Sequence, residues 1–70
     1  MTKAEIREKY RIRRAGLRMG LNAAKQGIKA AKLLNLPEAE TQFKVRISQL
    51  TFSREMSYAA QEEELDELDA

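Results

Sequence analysis

The sequence predicts an all-α fold: an antiparallel hairpin of two long helices, which oligomerisation completes into a helical bundle. Three observations predict it. A helix-favouring stretch runs from a capping sequence at Thr2 to Asn35, and Pro37 then opens a second such stretch. Apolar residues recur at helical spacing in both stretches. Basic residues dominate the first stretch and acidic residues the second, so an antiparallel arrangement lays opposite charges side by side.

The first helix is predicted over about residues 2–34. Thr2 and Glu5 have the spacing of a capping box, in which each side chain satisfies a backbone N–H of the first turn. A step of about 100° per residue gathers the large apolar side chains on one face. This predicted core face consists of Ile6, Tyr10, Leu17, Leu21, Ala24 and Ile28.

A short turn is predicted at residues 35–36, followed by a second helix over about residues 37–68. Proline suits the first position of a helix, and Glu38 and Glu40 place negative charge at the positive end of its dipole. The predicted core face of this helix consists of Phe43, Ile47, Leu50, Tyr58, Leu65 and Leu68. Because the turn is short, the helices should be antiparallel neighbours, with Leu21 facing Leu50 and Ile28 facing Phe43.

Residues 1–70 form a single domain, of a size at which one hydrophobic core is marginal. The chain contains no Cys and no His. The usual zinc ligands, the commonest general base and the Cys–His and Ser–His pairs are therefore missing. We expect no catalysis, no metal or cofactor and no small-molecule substrate. No apolar run reaches the ~18 residues of a transmembrane helix, and we expect a cytoplasmic protein.

Small residues form a second row on the first helix. The row consists of Gly16, Gly20, Ala23, Gly27 and Ala30. Each glycine in a helix costs about 0.8–1 kcal/mol relative to alanine, so close packing must offset this cost. Rows of this kind let helix backbones approach each other closely. We expect a helix of a second chain to pack here. The alternative is that the glycines leave room for Phe43 or Phe52 of the same hairpin.

Several apolar side chains lie outside the predicted core faces. They are Ile12 and Met19 on the first helix, and Val45, Phe52, Met56 and Ala59 on the second. Two helices cannot bury both of their sides, so these residues predict an oligomer or partner interface, most directly at Val45, Phe52 and Met56. Isolated apolar residues on a surface also occur without any such role, which is the alternative interpretation.

A row of basic side chains occupies a narrow arc of the first helix. We define the basic row as Arg7, Arg11, Arg14, Arg18, Lys25, Lys29 and Lys32. It is ~37 Å long at 1.5 Å per residue, comparable with one turn of duplex DNA. Such a row follows phosphates with salt-dependent, sequence-independent affinity. The row contains no aromatic residues on which bases could stack, and a solvated face that keeps the protein soluble is the alternative interpretation of the row.

Charge is unevenly distributed along the chain. Residues 1–34 contain ten Lys and Arg against two Glu, whereas residues 35–70 contain three Lys and Arg against nine acids. In a hairpin, the acidic stretch at residues 62–69 is expected to neutralise Arg7, Arg11 and Arg14, which leaves the turn end of the basic row free; the alternative is that this stretch is a frayed, solvated end, because runs of like charge tend to disorder. The predicted nucleic-acid-binding residues are Arg11, Arg14, Arg18, Lys25, Lys29, Lys32 and Lys44.

Two further arginines have predicted contacts. Arg54 falls on the core face of the second helix opposite Leu17, where its stem can cover apolar surface while its charge reaches solvent. An ion pair with another chain is the alternative for Arg54. Arg13 is expected to face Tyr58 in a cation–π contact.

The expected function is that of a non-catalytic, oligomeric binding protein. Its basic row would engage a polyanion, nucleic acid above all, without sequence readout. An acidic protein surface or an anionic membrane would suit the same row. The alternative function is that of a structural adaptor or inhibitor, which docks its exposed apolar helix face on another protein or within a larger protein assembly.

Overall fold

The chain is a two-helix hairpin. The computed structural model describes residues 1–69, with α1 spanning Lys3–Leu33 and α2 spanning Pro37–Asp69. The two helices pack against each other along a rod of 54 × 15 × 10 Å, and no strand occurs in the described residues. The predicted all-α hairpin is therefore confirmed, and each observed helix end lies within one residue of its predicted position.

The capping box predicted at the start of α1 is present. The Thr2 hydroxyl accepts a hydrogen bond from the backbone N–H of Glu5 at 3.1 Å, and the Glu5 carboxylate accepts one from the backbone N–H of Thr2 at 3.3 Å. Two backbone donors that the helix itself cannot satisfy are thus paired, which fixes where α1 begins.

The turn is a Schellman motif with an asparagine in the left-handed position. Asn35 has φ = 55°, a conformation that Asn tolerates better than most residues other than Gly. The backbone N–H of Leu36 donates to the carbonyl of Ala31 at 2.8 Å, and that of Asn35 donates to the carbonyl of Lys32 at 3.2 Å. Pro37 then begins α2, and the carbonyl of Leu36 accepts the backbone N–H of Glu40 at 3.0 Å. These bonds reverse the chain within three residues.

The core is a thin seam between the two helices. Within residues 1–69 the buried apolar side chains all belong to α1, and they are Ile6, Tyr10, Leu21, Ala24 and Ala31. On α2, Phe43, Ile47, Leu50 and Leu65 are half-buried. Leu50 and Phe43 reach across to Gly20 and Gly27, one residue from the pairing that the sequence predicted.

Two residues predicted for the core are exposed: Tyr58 by 54% and Leu68 by 44%. The seam on α2 follows the 3.5-residue spacing of helices that wind around each other, so Ser57 takes the buried place and Tyr58 moves to the edge. Leu68 lies in the last turn of α2, opposite the start of α1 at Lys3, where little chain is left to cover it.

Neither described helix combines the length and apolar composition that a bilayer crossing requires.

Candidate functional site

Two grooves run between the helices, one on each side of the seam. Consecutive residues of a helix are about 100° apart, so Arg13 and Arg14 lie on opposite sides of α1's contact with α2. Arg14 lines the first groove together with three other arginines, and Arg13 lines the second together with apolar side chains. The basic and apolar features of the sequence are thus separated in space.

The first groove is a cleft rich in guanidinium groups. It has a volume of about 270 Å³, and we call it the arginine cleft. It is lined by Arg11, Arg14, Ala15 and Arg18 of α1 and by Arg54 and Tyr58 of α2. Three of its arginines belong to the basic row, and the fourth comes from the opposite helix.

Arg14 is held in the cleft by two contacts with α2. Its guanidinium carbon lies 4.2 Å from the centroid of the Tyr58 ring, and its Nη1 donates a hydrogen bond to Oε1 of Gln61 at 2.6 Å. The prediction that Arg13 contacts Tyr58 was wrong by one residue. Arg13 instead lies 5.0 Å from the centroid of the Tyr10 ring, because it is on the other side of the seam.

Arg11 shares its charge with Glu8 of the same helix. The Arg11 Nε donates to Oε2 of Glu8 at 2.8 Å, and its Nη2 bonds to the other carboxylate oxygen. This fork lowers the pKa of Glu8 through the hydrogen bond from Arg11, and the same bond raises the pKa of Arg11. Both side chains are more than half exposed, so the pair leaves Arg11 accessible to a ligand.

Arg18 and Arg54 face solvent at the cleft. Neither forms an ion pair with any carboxylate of residues 1–69. Arg54 is exposed, which is compatible with the predicted position of its charge in solvent, and its backbone carbonyl accepts a hydrogen bond from the buried Ser57 hydroxyl at 2.7 Å.

The sequence predicted ion pairs between the acidic C-terminal stretch and the basic row, but the structure places them elsewhere. Its ion pairs go to Lys3, 2.6 Å from Asp69, and to Lys9, 2.8 Å from Glu64. Glu64 also accepts a hydrogen bond from the Tyr10 hydroxyl at 2.8 Å. The expectation that this stretch neutralises Arg7, Arg11 and Arg14 was therefore wrong. Of these three, Arg11 pairs with Glu8, Arg14 contacts the neutral Gln61, and Arg7 forms no ion pair within the described chain.

Glu64 and Tyr10 shift each other's protonation. The hydrogen bonds from Lys9 and then from Tyr10 lower the pKa of Glu64, because both stabilise the charged carboxylate. The hydrogen bond to Glu64, together with burial, raises the pKa of Tyr10. This cluster ties the end of α2 to the start of α1, on the opposite side of the seam from the cleft.

The turn end of the basic row carries less free charge than the sequence suggested. Glu40 lies between Lys44, at 3.1 Å, and Lys32, at 3.8 Å, and partly neutralises both. Lys25 and Lys29 are exposed and have no carboxylate partner in residues 1–69. All seven predicted nucleic-acid-binding residues thus lie at the surface, but the densest cluster is the arginine cleft.

The second groove is apolar and has a volume of about 410 Å³. Leu17 lies in it, while Phe52 and Met56 line it from α2 and remain 63% and 52% exposed. Val45, predicted for the same interface, is 51% exposed but lies outside this groove. We call this surface the Phe52 groove.

The row of small residues is divided between two environments. A Cβ atom on Gly27 would lie 2.6 Å from the Phe43 ring, and one on Gly20 would lie 3.3 Å from a Leu50 methyl group. These two glycines make room for α2 of the same chain, which was the alternative interpretation. Gly16 has no atom within 4 Å of such a Cβ, and Ala23 and Ala30 are exposed.

No protein-family model, curated protein or solved structure matches the chain.

The sequence did not identify Arg54 as part of a binding surface. The signal was present, since the pairing that set Arg54 opposite Leu17 also sets it beside Arg14 and Arg18. Arg54 lies at the edge of the seam, and a residue at that edge borders the groove as well as the core.

Proposed function

We propose that this hairpin is a non-catalytic binding protein whose basic row engages a polyanion, nucleic acid in particular, without reading its sequence. The observation that supports the proposal is where the acidic C-terminal stretch forms its ion pairs, namely with Lys3 and Lys9 outside the row. The row therefore keeps exposed positive charge along one side of the rod.

The dimensions of the row suit a phosphate backbone. From Arg11 to Lys29 the helix rises ~27 Å at 1.5 Å per residue. One strand of B-form DNA places a phosphate about every 3.4 Å along the axis, so some eight phosphates span this distance. Contacts of this kind supply affinity by releasing counterions and carry no sequence information.

The first experiment is a fluorescence anisotropy titration of labelled duplex and single-stranded oligonucleotides at several salt concentrations. We expect the logarithm of the binding constant to fall linearly with the logarithm of salt concentration. Lys29→Gln should reduce that slope by about 0.9 for a duplex or 0.7 for a single strand, if Lys29 contacts one phosphate.

Arg46→Gln is the matched control, because it removes the same charge from an exposed position on α2. Arg46 lies two residues from Lys44 and so about 200° away around the helix, off the basic side. Its slope should match that of the unchanged protein. A dissociation constant weaker than about 10⁻⁴ M at physiological salt, below ordinary non-specific affinity, overturns the proposal.

A second candidate function rests on the Phe52 groove. Two large apolar side chains more than half exposed beside Leu17 form the kind of surface that packs against another helix. We propose that a second copy of the chain packs here to give a helical bundle, and a structural adaptor would use the same surface on another protein. Substitution of Phe52 and Met56 by Asp should disrupt this association and leave polyanion binding intact. Lys29→Gln should weaken polyanion binding and leave the association intact. A cytoplasmic location stays a prediction from composition.

A further inference from the structure

We infer that the arginine cleft is a binding site for a terminal phosphate group, such as the 5′-phosphate of a nucleic-acid strand or the end of a free polyphosphate. For the nucleic-acid source, this inference rests on the proposed function. For free polyphosphate it stands independently, because a short phosphate chain needs only the cleft and not the whole basic row.

Charge density distinguishes the cleft from the rest of the row. Four arginines line one volume of about 270 Å³, and within residues 1–69 only one of them, Arg11, is paired with a carboxylate, that of Glu8. At the turn end, by contrast, Glu40 lies between the two nearest lysines. The cleft therefore concentrates more unneutralised positive charge than a single internal phosphodiester, with one negative charge, can balance.

The chemistry of arginine favours a phosphate that has several free oxygens. A guanidinium presents its N–H donors as a planar fork that binds phosphate oxygens in pairs. A phosphomonoester carries about −1.5 to −2 charges at neutral pH and three free oxygens, whereas a phosphodiester has only two. A terminal phosphate can therefore accept forks from more arginines at once than an internal phosphate can.

The cleft is partly organised before any ligand binds. Arg14 is fixed by the Tyr58 ring on one face and by Gln61 at one of its nitrogens. Arg54 approaches from α2, while Arg11 and Arg18 lie seven residues apart on the same face of α1. Ordering these side chains in advance reduces the entropy that a ligand must remove on binding.

The test compares two oligonucleotides of the same sequence, one with a 5′-phosphate and one with a 5′-hydroxyl, both labelled at the 3′ end. We expect the unchanged protein to bind the phosphorylated strand about tenfold more tightly, as for one or two charge-assisted hydrogen bonds. Arg54→Gln should abolish this preference, while the control Arg46→Gln should retain it. Circular dichroism verifies that both variants keep the helical fold.

A second arm uses inorganic tripolyphosphate and thermal unfolding. A ligand that binds only the folded state raises Tm, so tripolyphosphate should stabilise the unchanged protein and Arg46→Gln more than Arg54→Gln. A preference for the phosphorylated strand that depends on Arg54 identifies the strand end as the ligand. Stabilisation that depends on Arg54, without any preference between the strands, identifies free polyphosphate.

The inference is overturned if both strands bind equally well and tripolyphosphate stabilises Arg54→Gln as much as the unchanged protein. It is also overturned if the preference for the phosphorylated strand persists in Arg54→Gln. If neither oligonucleotide binds, the proposed function fails, and the tripolyphosphate arm alone then decides the inference about the cleft.

Discussion

At the scale of single residues, the three glycines of α1 differ in how closely the side chains of α2 approach them. Gly27 is required by the Phe43 ring, 2.6 Å from where its Cβ would be, whereas the space around Gly16 is open. Gly20 is intermediate, with a flexible Leu50 methyl group at 3.3 Å. The sequence alone treats all three as members of one row, because spacing does not reveal which neighbour each residue meets.

Gly16→Ala and Gly27→Ala should therefore change stability in opposite directions. Alanine is favoured over glycine in a helix by about 1 kcal/mol, so we expect Gly16→Ala to raise the free energy of unfolding by up to that amount. In Gly27→Ala the ring of Phe43 must move, and overpacking of this kind costs about 1–3 kcal/mol. Urea denaturation monitored by circular dichroism measures both. A gain in stability for Gly27→Ala would show that Phe43 does not pack against it.

Glu64 should make stability depend on pH on the acidic side. Its pKa in the folded state lies below the ordinary value of 4.5, so its contribution is fully present above that value and is lost as the pH falls through the lower, folded-state pKa. Glu64→Gln should lower Tm at neutral pH, and its Tm should then decrease less steeply than that of the unchanged protein as the pH is lowered. Tyr10→Phe removes one of the two hydrogen bonds that lower the pKa of Glu64 but keeps the ion pair between Glu64 and Lys9, so the acid dependence of its Tm should lie between those of the unchanged protein and Glu64→Gln. If Glu64→Gln falls as steeply in acid as the unchanged protein, another carboxylate is responsible.

At the scale of elements, the hairpin was predictable because the ends of its helices are set by residues close to them in the sequence. The capping residues at Thr2 and Glu5 and the proline at position 37 each act within one turn of helix. The facing of the helices followed from the short turn between them. The seam on the second half of α2 was not predicted correctly, because a fixed step of 100° ignores how two packed helices wind around each other.

The turn itself should be sensitive to the residue at position 35. Asn35 has φ = 55°, which costs a β-branched residue more than it costs Asn or Gly. We expect Asn35→Val to destabilise the hairpin by about 1–2 kcal/mol, and Asn35→Gly to be neutral or slightly stabilising. Thermal unfolding compares the two. Equal melting temperatures for both variants would mean that the turn relaxes out of the left-handed conformation at no cost.

At the scale of the whole molecule, the hairpin has two different sides, one with the arginine cleft and one with the Phe52 groove. The acidic end of α2 contacts Lys3 and Lys9, so the charge asymmetry of the sequence does help to hold the helices antiparallel. The acidic end leaves the arginines of the cleft uncovered. The net charges of the two halves of the sequence do not show which basic residues the acidic end contacts. The sequence therefore predicted the three arginines of α1 as binding residues but placed Arg54 on the core face, although the same pairing of the helices sets it beside Arg14 and Arg18.

The apolar side of the rod should show itself in how stability depends on protein concentration. Only five apolar side chains are buried within residues 1–69, while Phe52 and Met56 lie exposed at a groove, so association would add a large fraction of the apolar burial. We expect Tm to rise with protein concentration, as mass action requires of a folded oligomer. Phe52→Asp should remove that dependence and sediment at the 8.0 kDa of one chain. Asn22→Asp, which adds the same charge to an exposed position on the basic side, should remain associated. Sedimentation of the unchanged protein as a single chain at every concentration would contradict the proposed bundle and leave the Phe52 groove to a different partner.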